Sequence, residues 1–235
     1  MIKWIFVTVL TLCVYTLKAG DFTVEVDDFY AVEIQGNFKA KLVKSDKLMV
    51  EVFNGEEDLD DSKIVCEVKN KTLKIRIKGD LYSEKDIKVV VHYNELERVE
   101  ARAGCQIEVM EAIETHRLTL NVEAGGKLKA KFIGEELNAS VSAGGSIRVG
   151  GNVKNANYKV SAGGTIAAVS VDVPDVNAKV TAGGEIICKA TESLKVNITS
   201  GGTVSYLGEP EAFEQKVTLG GTISKLKAQD VIKYE

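Results

Sequence analysis

Along most of this chain apolar and polar residues alternate one by one, which is the period of a strand and not of a helix. The alternation is clearest from Ala103 to Ile223, where one phrase recurs seven times: an alternating run, a small residue, two glycines, a polar residue, an aliphatic residue. Well-formed copies are Val122-Glu123-Ala124-Gly125-Gly126-Lys127-Leu128 and Val141-Ser142-Ala143-Gly144-Gly145-Ser146-Ile147. Others centre on Gly163-Gly164, Gly183-Gly184, Gly201-Gly202 and Gly220-Gly221, and a degenerate copy at Gly104-Cys105 opens the series. Successive first glycines lie 21, 19, 19, 20, 18 and 19 residues apart. That period is too short for common helical repeats or propeller blades and predicts a solenoid.

Aligned on the first glycine, the apolar positions form ranks. Three before it stand Val122, Val141, Val160, Val180, Ile198 and Val217; five before, Leu120, Ala139, Tyr158, Ala178, Val196 and Gln215. Seven before stand Leu118, Leu137, Ala156, Val176, Leu194 and Phe213; three after, Ile107, Leu128, Ile147, Ile166, Ile186, Val204 and Ile223. The residues between are mostly Asn, Ser, Thr, Lys and Glu. If each repeat is one coil, equivalent residues stack about 4.8 Å apart. The expected class is all-β, a β-helix with short coils of about 19 residues. Its glycines serve as corners needing positive φ or close backbone approach. A phosphate-cradling role is disfavoured, because no Lys-Ser/Thr follows the glycines and no helix is predicted behind them.

The less regular half before the repeats also alternates: Phe22, Val24, Val26; Val32, Ile34; Phe38, Ala40, Leu42; Leu48, Val50, Val52; Ile64, Cys66, Val68; Leu73, Ile75, Ile77; Ile87, Val89, Val91. Asn70-Lys71 between two such runs predicts a hairpin-like or coil turn. Gly79–Asp86 is the best candidate for a lobe boundary. Before all this, Lys3 precedes an apolar run from Trp4 to Tyr15 and a small residue at Ala19-Gly20, the pattern of a Sec signal peptide. The run is shorter than the ~18 residues a membrane span needs. Leu12 before Cys13 is too bulky for a good lipoprotein site. The expected layout is 1–20 signal peptide, 21–100 N-terminal β lobe or cap, and 101–235 glycine-cornered repeats. Phe213, Gln215 and the segment from Leu226 to Glu235 are expected to close the far end.

Composition narrows the function classes. A net charge of −4 and a pI near 5.5 argue against nucleic acid as a partner. The acidic run Glu56–Asp61 suits a solvated loop better than a metal site. Without Cys13, three cysteines remain, Cys66, Cys105 and Cys188, an odd count that disfavours a disulfide framework. All three fall in apolar phase and are expected to behave as small buried hydrophobes.

The order of pieces then becomes specific. Phe-x-Val-x-Val, Val32-Glu33-Ile34-Gln35-Gly36-Asn37-Phe38, Leu48-Met49-Val50-Glu51-Val52 and Asn70-Lys71-Thr72-Leu73-Lys74-Ile75 precede the Ala/Ser-Gly-Gly coils. In that order the chain resembles the putative auto-transporter adhesin, head GIN domain family, found in exported proteins of Gram-negative bacteria. The resemblance implies a right-handed β-helix-like solenoid and a role at the cell surface. It transfers no catalytic or binding residues. The chain departs from it in using Gly-Gly and Gly-Cys corners, and it shows no autotransporter barrel.

For the outward columns, two readings compete. A polysaccharide lyase or hydrolase on this scaffold would want converging acidic groups on one face. Instead the columns hold short hydroxyl and amide side chains that can satisfy one another as ladders. The candidate binding face is Asn138, Ser140 and Ser142, Asn157, Lys159 and Ser161, and Asn177, Lys179 and Thr181. His92 and His116 lack neighbours for a triad or a His-based metal site. A calcium-binding repeat would need Asp in each corner, where Lys127, Ser146, Thr165, Glu185, Thr203 and Thr222 stand; that column is too mixed for ice binding. The expectation is a non-enzymatic, exported envelope module without cofactor, in the periplasm, at the outer-membrane surface or outside the cell. Its partner would be a glycan or a surface protein, with no transmembrane segment after signal removal, and a homodimer is compatible with open strand edges. The alternatives are a carbohydrate-active enzyme and a periplasmic stress or regulatory protein.

Overall fold

The computed structural model describes residues 21–55, 63–79, 86–227 and 229. The proposed signal peptide, the acidic run Glu56–Asp61, most of the Gly79–Asp86 boundary and nearly all of the last eight residues lie outside them. In chain order the strands are β1 (Asp21–Glu25), β2 (Ala31–Gln35), β3 (Lys39–Lys44), β4 (Met49–Asn54), β5 (Ile64–Lys69) and β6 (Thr72–Ile77). Next come β7 (Ile87–Tyr93), β8 (Arg98–Arg102), β9 (Gln106–Val122), β10 (Lys127–Ser142), β11 (Ser146–Asn152), β12 (Asn155–Ser161) and β13 (Thr165–Asp172). The series ends with β14 (Asp175–Ala182), β15 (Glu185–Lys189), β16 (Ser193–Ser200), β17 (Thr203–Leu207), β18 (Ala212–Leu219) and β19 (Thr222–Lys225).

Their ladders build a β-solenoid of about seven turns with coils of about 19 residues. Each coil holds one strand before the glycine corner and one after it. The strands after the corner stack in parallel as β3, the first half of β9, the first half of β10, β11, β13, β15, β17 and β19. Those before it stack as β2, β8, the second halves of β9 and β10, β12, β14, β16 and β18. The register is the one the sequence predicts: Val122, Val141, Val160, Val180, Ile198 and Val217 are successive partners, as are Ile107, Leu128, Ile147, Ile166, Ile186, Val204 and Ile223. The inward ranks of both stacks fuse into one continuous aliphatic core. Longer coils are absorbed without loss of phase. The 21-residue coil adds its extra residues at a bulge opposite Lys129–Lys131, and the 20-residue coil bulges opposite Arg148–Gly150.

The two corner glycines do different jobs. Gly144 has φ +77, and a Cβ there would meet nothing, so its task is purely conformational. A Cβ on Gly145 would lie 2.6 Å from Cγ1 of Val122, one coil earlier, so its task is close packing between coils. In the early corners even the alanine is left-handed: Ala103, Ala124, Ala143 and Ala162 have φ between 49 and 55. Cys105 stands in for the second glycine at the first repeat corner, where it is fully buried.

The N-terminal half is interleaved with the repeats. The coil β2–β3 sits between β6–β7 and β8–β9, pairing in parallel on both sides. Antiparallel strands finish this end: β4 and then β1 beyond β7, and β5 beyond β6. The β5–β6 link is the expected hairpin, with Asn70 at φ 52 and Lys71 at φ 57, both left-handed as a type I′ turn requires.

At the other end β18 is the last strand of its stack among the described residues. Phe213 leans on Tyr206 with ring centroids 5.3 Å apart, yet β18 is exposed along its whole length. With no coil beyond it among the described residues, Phe213 and Val217 are 40% and 44% exposed. Leu226 instead continues the outer ladder and packs with Leu207 on Ala167, Val169 and Ile187, beside the coils rather than over their end.

Candidate functional site

The sequence-predicted face is assembled as a flat array. β10, β12 and β14 bring Asn138, Asn157 and Asn177 into one column, and Ser140, Lys159 and Lys179 into the next. Ser142 pairs with Ser161, and Thr181 continues that edge on β14. The asparagines form a ladder: Asn157 donates to Asn138 at 3.0 Å and Asn177 to Asn157 at 3.5 Å. Asn138 in turn donates to Glu136, whose carboxyl is held below its ordinary value by that bond and by Arg117. Much of this face therefore satisfies itself. Lys159 and Lys179, stacked as direct partners, are exposed and make no ion pair among the described residues.

Toward the N-terminus the same stack becomes a neutralised ion network. Arg102 reaches Glu100 at 3.0 Å, Glu33 at 3.3 Å and Glu123 at 3.6 Å, across three coils. Lys74 meets Glu33 at 3.1 Å on its far side.

On the outer side of the other stack lies a cleft of about 520 Å³. It is lined by Lys39 and Lys41 of β3, Gln106 and Glu108 of β9, Lys127 and Lys129 of β10, and Ser146 and Arg148 of β11. Parity explains the convergence. Lys39, Gln106, Lys127 and Ser146 form one outward column, and Lys41, Glu108, Lys129 and Arg148 the next. Five cations thus face the single carboxylate of Glu108, which is engaged by Lys129 at 3.1 Å. Lys39, Lys41, Lys127 and Arg148 are exposed and make no ion pair among the described residues. Sequence reading did not find this cleft. Lys127 was visible in the corner column, but nothing local places β3 beside β9, more than sixty positions later.

The remaining reactive side chains are structural. Cys105 and Cys188 are buried and Cys66 half-buried, all free thiols. Burial pushes Cys66 up to about 11 and Cys188 to about 12, so neither is a thiolate at neutral pH. Half-buried His92 meets Glu51 at 3.1 Å, and exposed His116 meets Glu135 at 3.3 Å. Among the described residues no group of His, Cys, Asp and Glu could hold a metal ion, and no helix is long and apolar enough to cross a membrane.

Crystal structures that share this fold include three from the Bacteroides and Parabacteroides genera. A protein from Bacteroides fragilis described as a "putative adhesin" aligns with TM-score 0.80 at 19% identity, over 88% of this chain and 96% of that one. One from Parabacteroides merdae aligns with TM-score 0.68 at 23% identity, over 88% and 95%. A protein from Parabacteroides distasonis described as a "putative lipid binding protein" aligns with TM-score 0.65 at 24% identity, over 88% and 96%. No curated protein matches the chain. With the family profile covering residues 28–210, from before β2 through the end of β17, the chain belongs to the putative auto-transporter adhesin, head GIN domain family.

Proposed function

We propose that this protein is an exported, non-catalytic binding module of the bacterial envelope that makes its contacts through the outer faces of the solenoid. Family membership and the structures of the same fold described as "putative adhesin" support adhesion as the broad role. The observation that carries it is the set of unengaged, regularly spaced cations on two outer faces, Lys159 and Lys179 on one, Lys39, Lys41, Lys127 and Arg148 on the other. Rigid strands hold such groups at fixed spacing, which favours recognition of an extended partner over turnover. Glu108, the carboxylate in the cleft, is tied to Lys129 and has no second acid beside it among the lining residues, unlike the paired acids of a glycosidase.

Protease shaving of intact cells, followed by fractionation, tests this reading. Degradation without lysis is expected. Protection until the outer membrane is opened would favour the periplasmic regulatory alternative instead.

A further inference from the structure

We infer that the basic cleft of β3, β9, β10 and β11 is a binding site for an acidic polysaccharide lying along the solenoid axis, an inference that rests on the binding-module reading and gives it a ligand class. The cations are spread over successive rungs of the stack. Lys39 and Lys127 are two strands apart in the same column, on the order of 10 Å. A single phosphate or carboxylate could engage a neighbouring pair at most, whereas a linear polymer with repeating anionic groups can engage the whole row. The second column offers Lys41, Lys129 and Arg148 on parallel rungs. Together the two rows span three inter-strand steps, roughly 14 Å.

Neutral donors stand between the charges. The Gln106 amide separates Lys39 from Lys127, and the Ser146 hydroxyl follows Lys127. A sugar chain presents hydroxyls between its acidic groups, and that alternation of cation and neutral hydrogen-bonding group is complementary to it. Nucleic acid is the poorer fit, because no aromatic side chain lines the cleft to stack a base and the whole chain is acidic. The local field is nevertheless strongly positive. Four cations make no ion pair among the described residues, so a polyanion gains attraction there without first breaking protein ion pairs.

The test is equilibrium binding of the full chain to soluble polygalacturonate, with heparin, neutral dextran, single-stranded DNA and phosphatidylglycerol vesicles as parallel arms, at low and high salt. Polygalacturonate or heparin should bind, dextran should not, and salt should weaken binding. The quadruple variant K39Q/K41Q/K127Q/R148Q should bind at least about tenfold more weakly, since each exposed ion pair contributes up to about fivefold. The charge-preserving K39R/K127R should retain binding, and circular dichroism of both variants should match the parent. Unchanged binding by the folded quadruple variant would overturn the inference, as would sensitivity to K159Q/K179Q alone. Vesicles or DNA that bind through the cleft while polygalacturonate and heparin fail to compete would also overturn it. Cell-surface exposure by shaving combined with no binding of either acidic polysaccharide would remove this ligand class and leave adhesion standing.

Discussion

The division of labour within the Gly144-Gly145 corner predicts that Gly144→Ala and Gly145→Ala fail for different reasons. At Gly144 the added methyl has open space, and only its left-handed φ of +77 resists it, at about 1–2 kcal/mol. At Gly145 φ lies outside the left-handed region, but the new Cβ would sit 2.6 Å from Val122 Cγ1, with the Val122 and Gly126 carbonyl oxygens at 3.3 and 3.4 Å. Val122 is fully buried and β-branched, so it cannot swing away. Overpacking of this kind costs roughly 1–3 kcal/mol. Val122→Ala alone removes two buried methyls, a loss of about 2 kcal/mol with its cavity. The double variant V122A/G145A fills that space, and should be more stable than the sum of its parts by at least about 1 kcal/mol. V122A/G144A should add within about 0.5 kcal/mol, because the Gly144 methyl touches nothing. Denaturant titration followed by far-ultraviolet circular dichroism measures this, since the single tryptophan, Trp4, lies outside the described solenoid. Midpoints are comparable only where the slope is constant, a condition that a repeat array must be shown to meet. Simple additivity of V122A and G145A would refute the inter-coil contact as the reason for the second glycine.

Two further outcomes follow from local geometry. Ala143→Gly should raise the melting temperature by roughly 2–4 °C by relieving about 1 kcal/mol of strain at φ 49, and an unchanged or lower value in a thermal scan would contradict this. Glu136 is held below its ordinary value of 4.5 chiefly by Asn138 and Arg117, so its contribution to stability is complete above that value and disappears as pH falls through the lower, folded one. Asn138→Ala should move the Glu136 carboxyl midpoint up toward 4.5 in an NMR titration and flatten the acid limb of the melting curve; an unmoved midpoint would rule out that hydrogen bond in solution.

The repeat half was legible because one residue type at one position fixed the phase of each coil. With the glycines aligned, Val122 and its partners had no alternative register, since a slip of one would turn every aliphatic side chain to water. The asparagine ladder followed from the same alignment. The interleaving of β2–β3 was not legible, because alternation reports which face a residue points to and says nothing about which strand lies alongside. The cleft was hidden for the same reason: half of its charge comes from Lys39 and Lys41, whose neighbours Gln106 and Glu108 arrive much later in the chain. The far end is not legible in this way, because Phe213 and Gln215 occupy inward phase and phase alone does not show whether a further coil covers them.

The insertion of the earliest coil between two later ones has a consequence for how this rod can change its length. Among the described residues downstream of β9, each coil's strands pair only with those of its immediate sequence neighbours, so a unit duplicated or deleted there shifts the stack by one rung and leaves each ladder intact. Upstream, β2–β3 is clasped on both sides by strands from elsewhere in the chain, and any added unit would have to be threaded through that clasp. Length variants among proteins of this architecture should therefore differ in their downstream coils while the clasped coil keeps its size.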